Sequence, residues 1–565
     1  MLANFSKFLL EEDFKILYTL LSSPWAQERY TRLVKGDFDF DSMQFGQLIL
    51  AFGDATVQDL AQKAETDEQS QQILTALCGL LGAEGFAVNE DKIFVPALEF
   101  WSTFVETILD ISYLSNEEQP SWLATARSFI MQAIERSWRK IQFPPAREFS
   151  SWDSVERTGF KDARRDVGDL LTQSFLIIGQ PLFSLFTDLA IRSLGKREAP
   201  WAEVEASLYC LATFRDCING GECDQFLDLV FGSPLFYMLS NSDATVPARV
   251  RQTFLTLIDN YSSYFERHTQ FVPGALNLMF GVLESPTLAK TASRSILTMC
   301  SSCRKLLVPE LGAFLEQYAK IVQLPSVEGS VKEGVTGAIA SIIQAMPDEE
   351  SKLVPMEKLL GLVRIDHEQS LSLLNFHSFP QPGLETINPS NAPLDVHAAA
   401  SELMVLSLRC LASIAKGIRA PDDIPVDLET STNSTYWTSG GGAIIQIQIL
   451  EMVTRACNVF RADGEVIEAA CVVFRTGLTE HEPGPFVFPP SAIANFLLKA
   501  DLRTPRLVIL ISTACSLISS HTSASARSID EISAALLIWI ADILKALEGK
   551  SIAMCISTNN NLTLS

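Results

Sequence analysis

The stretch FVPALEFWSTFVETILD, from Phe94 to Asp110, contains one Trp and three Phe but no His, Cys or basic residue. Its apolar residues recur at spacings of three and four, which places them in one stripe on an α-helix. The stripe consists of Phe94, Leu98, Trp101, Phe104 or Val105, and Ile108, with Val95, Phe100 and Leu109 beside it. A stripe this wide predicts a helix that other helices cover on more than one side, in preference to a ligand pocket or a membrane-binding face.

The same apolar spacing repeats along most of the chain. Helical stretches of about 12–20 residues alternate with short polar joints, and roughly forty to fifty residues separate successive helix pairs. Proline stands where several helices should begin, at Pro200, Pro273, Pro286 and Pro309. No convincing run of alternating apolar and polar residues indicates strands. We therefore predict an all-α fold, a HEAT/armadillo-type α-solenoid superhelix with an extended concave surface.

Two stretches rich in Pro, Ser, Asn and Gly interrupt this pattern and divide the array. We predict a HEAT-repeat array over 1–366, a loop insertion over 367–397, a HEAT helix over 398–419, a flexible loop over 420–442, a continuing HEAT-repeat array over 443–550 and an irregular tail over 551–565. The three glycines at 440–442 lack the Lys-Ser/Thr pair and the preceding strand of a phosphate-binding loop, so a linker is the better interpretation.

Charge and cysteine content narrow the possible partners and compartment. The 565 residues include 44 Lys plus Arg and 67 Asp plus Glu, for a net charge of -23. This balance argues against broad nucleic-acid binding and favours solubility and basic protein partners. No apolar run reaches a bilayer-spanning length, so we predict no membrane insertion. The eleven Cys are an odd number scattered through helical patterns, which indicates reduced thiols in the nucleus or cytoplasm.

We find no arrangement of residues that would carry out catalysis. None of the six His stands at metal-ligand spacing, and no GxSxG or P-loop motif occurs. Cys300 and Cys303 form a CxxC within what reads as one continuous helix, without a second ligand pair, so we interpret both as packing cysteines. We therefore predict a non-enzyme without catalytic, metal or cofactor sites.

Several segments, in matching order, resemble the importin-β family of nuclear transport receptors, and most of all its transportin-SR branch. The similarity covers about residues 70–550. The segments are ALEFWSTFVETI (97–108), FKDARRDVGDLLTQSFLIIG (160–179), WAEVEASLYCLATF (201–214), VPARVRQTFLTLIDNYSSYF (246–265), ASRSILTMCSSCRKLL (292–307) and FRADGEVIEAACVVFRTGL (460–478).

This resemblance implies a protein that shuttles between nucleus and cytoplasm through the nuclear pore. Such receptors bind protein cargo on the concave face, respond to the Ran GTPase, and contact Phe-Gly nucleoporins in grooves between outer helices. The resemblance begins well inside the family pattern. The N-terminal repeats, where the family makes its principal Ran contact, are therefore expected to be missing, which puts Ran binding in doubt. The ending ISTNNNLTLS resembles a truncation or an altered reading.

Candidate contact residues follow from the resemblance and from charge. The transportin-SR branch has an Arg-rich helix for phosphorylated Arg-Ser cargo, and Arg475 is the Arg retained here. Ala469, Val472 and Thr479 stand where further Arg residues are expected, so Arg475 alone cannot form that patch. The acidic turn PDEESK, residues 347–352, is a second candidate for contacting basic cargo or Ran. Its acidic residues are Asp348, Glu349 and Glu350.

Two other functions remain compatible with an acidic helical array. A HEAT scaffold for another assembly, such as a phosphatase, a coat or a chaperone-like holder, fits composition and periodicity equally well. Only the branch-like segments argue against it. A membrane-associated or small-molecule-binding protein is disfavoured, because the net charge is strongly negative and the apolar segments lack basic flanks.

Overall fold

The structure is a computed structural model that describes residues 11–114, 120–240, 246–324, 327–378, 392–419, 436–478, 484–500, 507–520 and 526–547. Within these ranges the regular structure is helical, apart from an isolated bridge between Ala87 and Asp91. The predicted all-α class is therefore confirmed.

The chain forms two compact units. The first comprises Met1–Tyr264 and Gln270–Leu278, and the second comprises Phe265–Thr269 and Met279–Ser565. The helices that begin in the first unit are α1 (Glu11–Leu21), α2 (Pro24–Val34), α3 (Phe40–Ala55), α4 (Val57–Lys63), α5 (Glu68–Leu80), α6 (Phe94–Leu114), α7 (Leu123–Lys140), α8 (Ala146–Ser151), α9 (Ser154–Ile178), α10 (Gln180–Leu194), α11 (Trp201–Thr213), α12 (Asp224–Phe231), α13 (Leu235–Ser240), α14 (Ala248–Asn260), α15 (Ser262–Arg267) and α16 (Val272–Gly281).

The second unit continues with longer helices. They are α17 (Ala289–Ser302), α18 (Arg304–Leu307), α19 (Leu311–Val322), α20 (Gly329–Gln344), α21 (Leu353–Ser378), α22 (Ala392–Gly417), α23 (Ala443–Val459), α24 (Gly464–Leu478), α25 (Pro490–Lys499), α26 (Leu507–Ser520) and α27 (Ala526–Leu547). The described part of the chain also contains three short 3-10 turns, at Phe214–Cys217, Thr269–Phe271 and Val308–Glu310.

The aromatic stripe of α6 is part of the core of the first unit. Trp101, Phe104, Val105 and Ile108 are completely buried. The Trp101 ring lies 5.2 Å from the Phe104 ring in an edge-to-face arrangement, a favourable geometry for aromatic pairs. Helices α3 and α4 pack against α6, and so does α9. The predicted core packing is therefore confirmed.

In the second unit one series of helices stacks along the array. Helix α17 contacts α20, α20 contacts α22, α22 contacts α24, and α24 contacts α26. Small residues permit the closest approach: a Cβ atom on Gly417 would collide with the carbonyl oxygen of Gly337. The long helices α21 and α23 pair with members of this series. This pattern, in which each helix contacts its counterpart one pair further on, is typical of stacked helical repeats.

The predicted loop at 367–397 is wrong at both ends. Helix α21 continues to Ser378, and α22 already begins at Ala392. His367 is completely buried, so the helix extends because its side chains pack in the core. Residues 379–391, which hold most of the Pro and Asn that suggested a loop, lie outside the described residues.

The described part of the predicted flexible loop at 420–442 is a packed turn at 436–442, because Trp437 is buried there. Residues 420–435 lie outside the described ranges, as does the predicted irregular tail at 551–565.

Among the described residues, one helix is long and apolar enough to span a bilayer by length and composition, contrary to the prediction from the sequence. This stretch, Val396–Gly417, is most of α22. Ala400, Met404, Leu408 and Leu411 on it are completely buried against neighbouring helices. The helix is apolar because it lies at the centre of a helical core.

Candidate functional site

Arg475 lies in a cavity formed where three stacked helices end. The cavity has a volume of about 620 Å³ and is lined by Lys416, Arg419, Val472, Arg475, Thr476, Leu478, Ser516 and Ser519. These residues lie in the last two turns of α22, α24 and α26 or, in the case of Arg419, two residues beyond α22. The lining contains three cations and no carboxylate, so the cavity favours an anionic group.

Helix geometry explains why cations gather here. The last carbonyl groups of a helix carry partial negative charge, and basic side chains near them are stabilising. Lys416 stands in the last turn of α22, and Arg475 stands in the last turn of α24. The Thr476 hydroxyl donates to the Val472 carbonyl, 2.9 Å away, and the Ser516 hydroxyl donates to the Ser512 carbonyl at the same distance. These hydroxyls are occupied as donors, so the three cations would provide the attraction for an anion.

The structure places two further cations beside Arg475 that the sequence alone does not indicate. Arg475 alone is insufficient for a multidentate contact, but Lys416 and Arg419 join it from the preceding member of the helix stack. Of the positions where Arg was expected, Ala469 is buried, Val472 lines the cavity, and Thr479 lies outside the described residues. Basic residues at the ends of helices one repeat apart are the sequence signal that would have identified the set.

The acidic turn joins α20 to α21, and its three carboxylates differ in role. Asp348 accepts a hydrogen bond from the Ser351 amide at 2.7 Å and stabilises the turn, but its side chain is exposed. Glu350 is exposed as well. Glu349 is half-buried and accepts a hydrogen bond from Lys352 Nζ at 2.7 Å. Asp348 and Glu350 are thus available to a partner, whereas Glu349 has an intramolecular role.

Glu349 also holds the turn at 436–442 against the protein. The indole Nε1 of the buried Trp437 donates to Glu349 Oε2 at 2.6 Å. Burial, followed by the carboxylates of Glu350, Glu349 and Asp348, raises the pKa of the neighbouring Tyr436 hydroxyl. The negative charge of the acidic turn therefore extends over this aromatic pair.

The acidic turn and Arg475 do not form one site. None of Asp348, Glu349 and Glu350 lines the Arg475 cavity. The two candidate surfaces therefore carry opposite charge and offer contacts to different groups of a partner.

The CxxC motif is a packing feature in this structure. Helix α17 ends at Ser302, so the motif spans a helix end rather than one continuous helix as predicted. Cys300 and Cys303 are both buried, and burial raises the pKa of the Cys303 thiol to about 12. Within the described ranges, no group of three or more His, Cys, Asp or Glu side chains is placed to hold a metal ion.

Comparison with known proteins gives consistent matches. The family described as "Transportin-3/Importin-13 third TPR domain" matches residues 238–317. The importin beta-like protein kap111 of Schizosaccharomyces pombe is 25% identical over 525 residues, which cover 90% of this chain and 49% of that protein. Importin-13 of Gallus gallus is 21% identical over 439 residues, which cover 76% of this chain and 42% of that protein.

The solved structure of importin-13 in its cytosolic state superposes with a TM-score of 0.74 at 15% identity, over 95% of this chain and 57% of that one. The chain thus spans about half the length of the curated relatives it matches. The chain is therefore a homologue of importin-13 and of importin-β-like proteins such as kap111, and it shares their HEAT-repeat solenoid fold.

Proposed function

We propose that this chain acts as a nuclear transport receptor that carries protein cargo through the nuclear pore and shuttles between nucleus and cytoplasm. The observation that supports this function is its homology to proteins named importins along most of its length. The stacked helices of the second unit fit the role, because a repeat array exposes a long surface on which a folded cargo can lie.

Charge suggests how cargo is held. The net charge of -23 attracts a basic cargo surface, and exposed Asp348 and Glu350 provide local carboxylates for it. The cavity of Lys416, Arg419 and Arg475 receives an anionic side chain of the cargo. Ran, if it binds this chain, would use the same acidic turn for its basic surface. Opposite charges on two surfaces would orient the cargo as well as hold it.

Phe-Gly contacts are expected between neighbouring outer helices. Helices α21 and α23 are joined by a hydrogen bond from Arg364 Nη2 to Gln448 Oε1 of 3.2 Å. The adjacent Ile365 and Ile447 are 47% and 55% exposed. Exposed isoleucines on two neighbouring helices provide a shallow apolar contact for a phenyl ring. Several such weak contacts give avidity together with fast exchange.

Entry into nuclei of permeabilised cells tests the proposal. The labelled chain is expected to enter the nuclei and to be stopped by a lectin that blocks the pore. A double variant, Ile365→Ser with Ile447→Ser, is expected to enter more slowly. Ile16→Ser, at a position 68% exposed on α1, serves as the matched control and should enter like the wild type.

Exclusion of the wild-type chain, beside a known receptor that enters, would contradict the proposal. A stoichiometric complex whose stability ignores the nucleotide bound to Ran would instead support the scaffold function.

A further inference from the structure

A second basic cavity lies in the first unit, where α7 ends against the segment between α5 and α6. Its volume is about 470 Å³. The segment contributes Gly82, Ala83 and Gly85, and α7 contributes Gln132, Glu135, Arg136, Arg139 and Lys140. Three of these side chains are cationic and one is a carboxylate, on a chain whose net charge is -23.

The wall opposite α7 is held in place by its own hydrogen bonds. Asp91 Oδ1 accepts from the amides of Ile93 and Phe94 at 2.9 and 3.0 Å, and Glu90 Oε2 accepts from the Phe86 amide at 3.1 Å. Gly85 has a φ of 102°, a conformation that glycine adopts without strain. The cavity is therefore preformed, so a ligand would not have to order this wall.

Two of the three cations already have partners. Lys140 Nζ lies 2.5 Å from Asp91 Oδ2 and donates to the Gly85 carbonyl at 2.7 Å, with its side chain only 8% exposed. Arg139 pairs with Glu135 at 2.7 Å on the exposed surface of α7. Both cations also lie in the last turn of α7, where they offset the partial charge of the helix end.

Arg136 has no such counter-charge. Among the described residues no carboxylate lies within ion-pair distance of its half-buried guanidinium. A Cβ atom added to Gly82 would lie 3.1 Å from Nη1 of Arg136. The guanidinium therefore faces the wall that contains Gly82. The neighbouring Tyr30 hydroxyl and Cys78 thiol offer no negative charge at pH 7, and burial raises their pKa values further, to about 12 and about 11. A partly buried cation without a partner favours an oxyanion.

We propose that this cavity binds carboxylates of an acidic segment in a protein partner, with Arg136 as the central contact. A run of Asp or Glu side chains can place one carboxylate on Arg136 inside the cavity. Arg139 keeps its ion pair with Glu135 at the rim and is not needed for this contact. The partner segment is thus opposite in charge to the basic cargo proposed above, and the inference does not depend on the transport function.

Binding of a fluorescein-labelled decaglutamate peptide, measured by anisotropy at low salt, tests this site. The wild type is expected to bind this peptide in preference to decaglutamine. Arg136→Gln is expected to weaken binding about tenfold or more, because a charge-assisted bidentate contact is lost. Arg139→Gln removes the same charge from the exposed rim, where Arg139 is paired with Glu135. It is expected to change affinity by less than about threefold.

A second variant keeps the test valid if Arg136→Gln is unstable. Arg136→Lys retains the charge but not the forked donors, and is expected to weaken binding by an intermediate factor. Equal losses in Arg136→Gln and Arg139→Gln, or no preference for decaglutamate in the wild type, would overturn the proposal. Displacement of the peptide by millimolar inorganic phosphate but not by acetate would overturn the carboxylate assignment in favour of a phosphoryl ligand.

Discussion

The buried guanidinium of Arg164 illustrates how single residues join neighbouring helices. It donates to both oxygens of Glu205, at 2.8 and 3.0 Å, and also to the Ile141 carbonyl. Thr253 of α14 donates to the same carboxylate at 2.7 Å. One ion pair therefore connects α9, α11 and α14, and both of its side chains are almost completely buried.

Removing this cation should strongly destabilise the first unit. Arg164→Met leaves Glu205 buried without its partner, and we expect a loss of roughly 3–5 kcal/mol. Native-state hydrogen exchange of the α9 and α11 amides would measure the loss. The neighbouring Arg165 is 67% exposed, so Arg165→Met is the control and should stay within about 0.5 kcal/mol. Equal protection in the two variants would contradict the structural role of Arg164.

His367 should make the second unit sensitive to mild acid. Its ring is completely buried, its Nε2 lacks a hydrogen-bond partner, and burial lowers its pKa to about 4. Near pH 5 the unfolded chain binds a proton that the folded chain does not, so stability falls as the pH drops from about 6.5 towards 4. At pH 5 the loss relative to pH 7 is about 2 kcal/mol.

A variant isolates this contribution from other groups. In His367→Gln the α21 amides should lose less protection between pH 7 and pH 5 than in the wild type, by about 2 kcal/mol in opening free energy. The same loss in both proteins would mean that His367 is protonated in the folded state.

At the level of elements, the hydrogen bond from Trp437 to Glu349 holds the turn at 436–442 against the turn at 347–352. Glu349→Ala would leave the buried indole N–H without an acceptor, which costs about 1–3 kcal/mol. Hydrogen exchange within 436–442 should then become faster. Glu350→Ala is the matched control, because Glu350 is exposed in the same turn, and exchange should remain unchanged. Unchanged exchange in Glu349→Ala would show that other contacts hold this turn.

Individual elements differ in how far their sequence predicts them. The apolar spacing of α6 is strong over its whole length, so both its helical form and its buried face were predictable. The ends of α21 and α22 were not, because Pro, Ser and Asn within 373–397 indicate a loop locally. The helices nevertheless extend into that stretch. Packing of residues such as His367 and Leu371 outweighs weak local preferences.

The molecule as a whole should not unfold in one step. A repeat array is stabilised by contacts between neighbouring repeats, and here the chain forms two compact units. We expect the calorimetric enthalpy of unfolding to exceed the van't Hoff enthalpy, the sign of more than one cooperative unit. Arg164→Met should lower the midpoint of one transition only. A single transition with equal enthalpies would show that the units unfold together.

The sequence by itself determined the helical class, the core role of the aromatic stripe and the kinship to importins, because each depends on local spacing or on the order of similar segments. Only the tertiary structure decided which charges meet. It placed Lys416 and Arg419 beside Arg475, joined Glu349 to Trp437 by a hydrogen bond, and gave Arg136 no carboxylate partner among the described residues. The physical reason is that stacking brings together helix ends from different repeats. Residues that meet there are far apart along the chain, so no local sequence pattern indicates their contact.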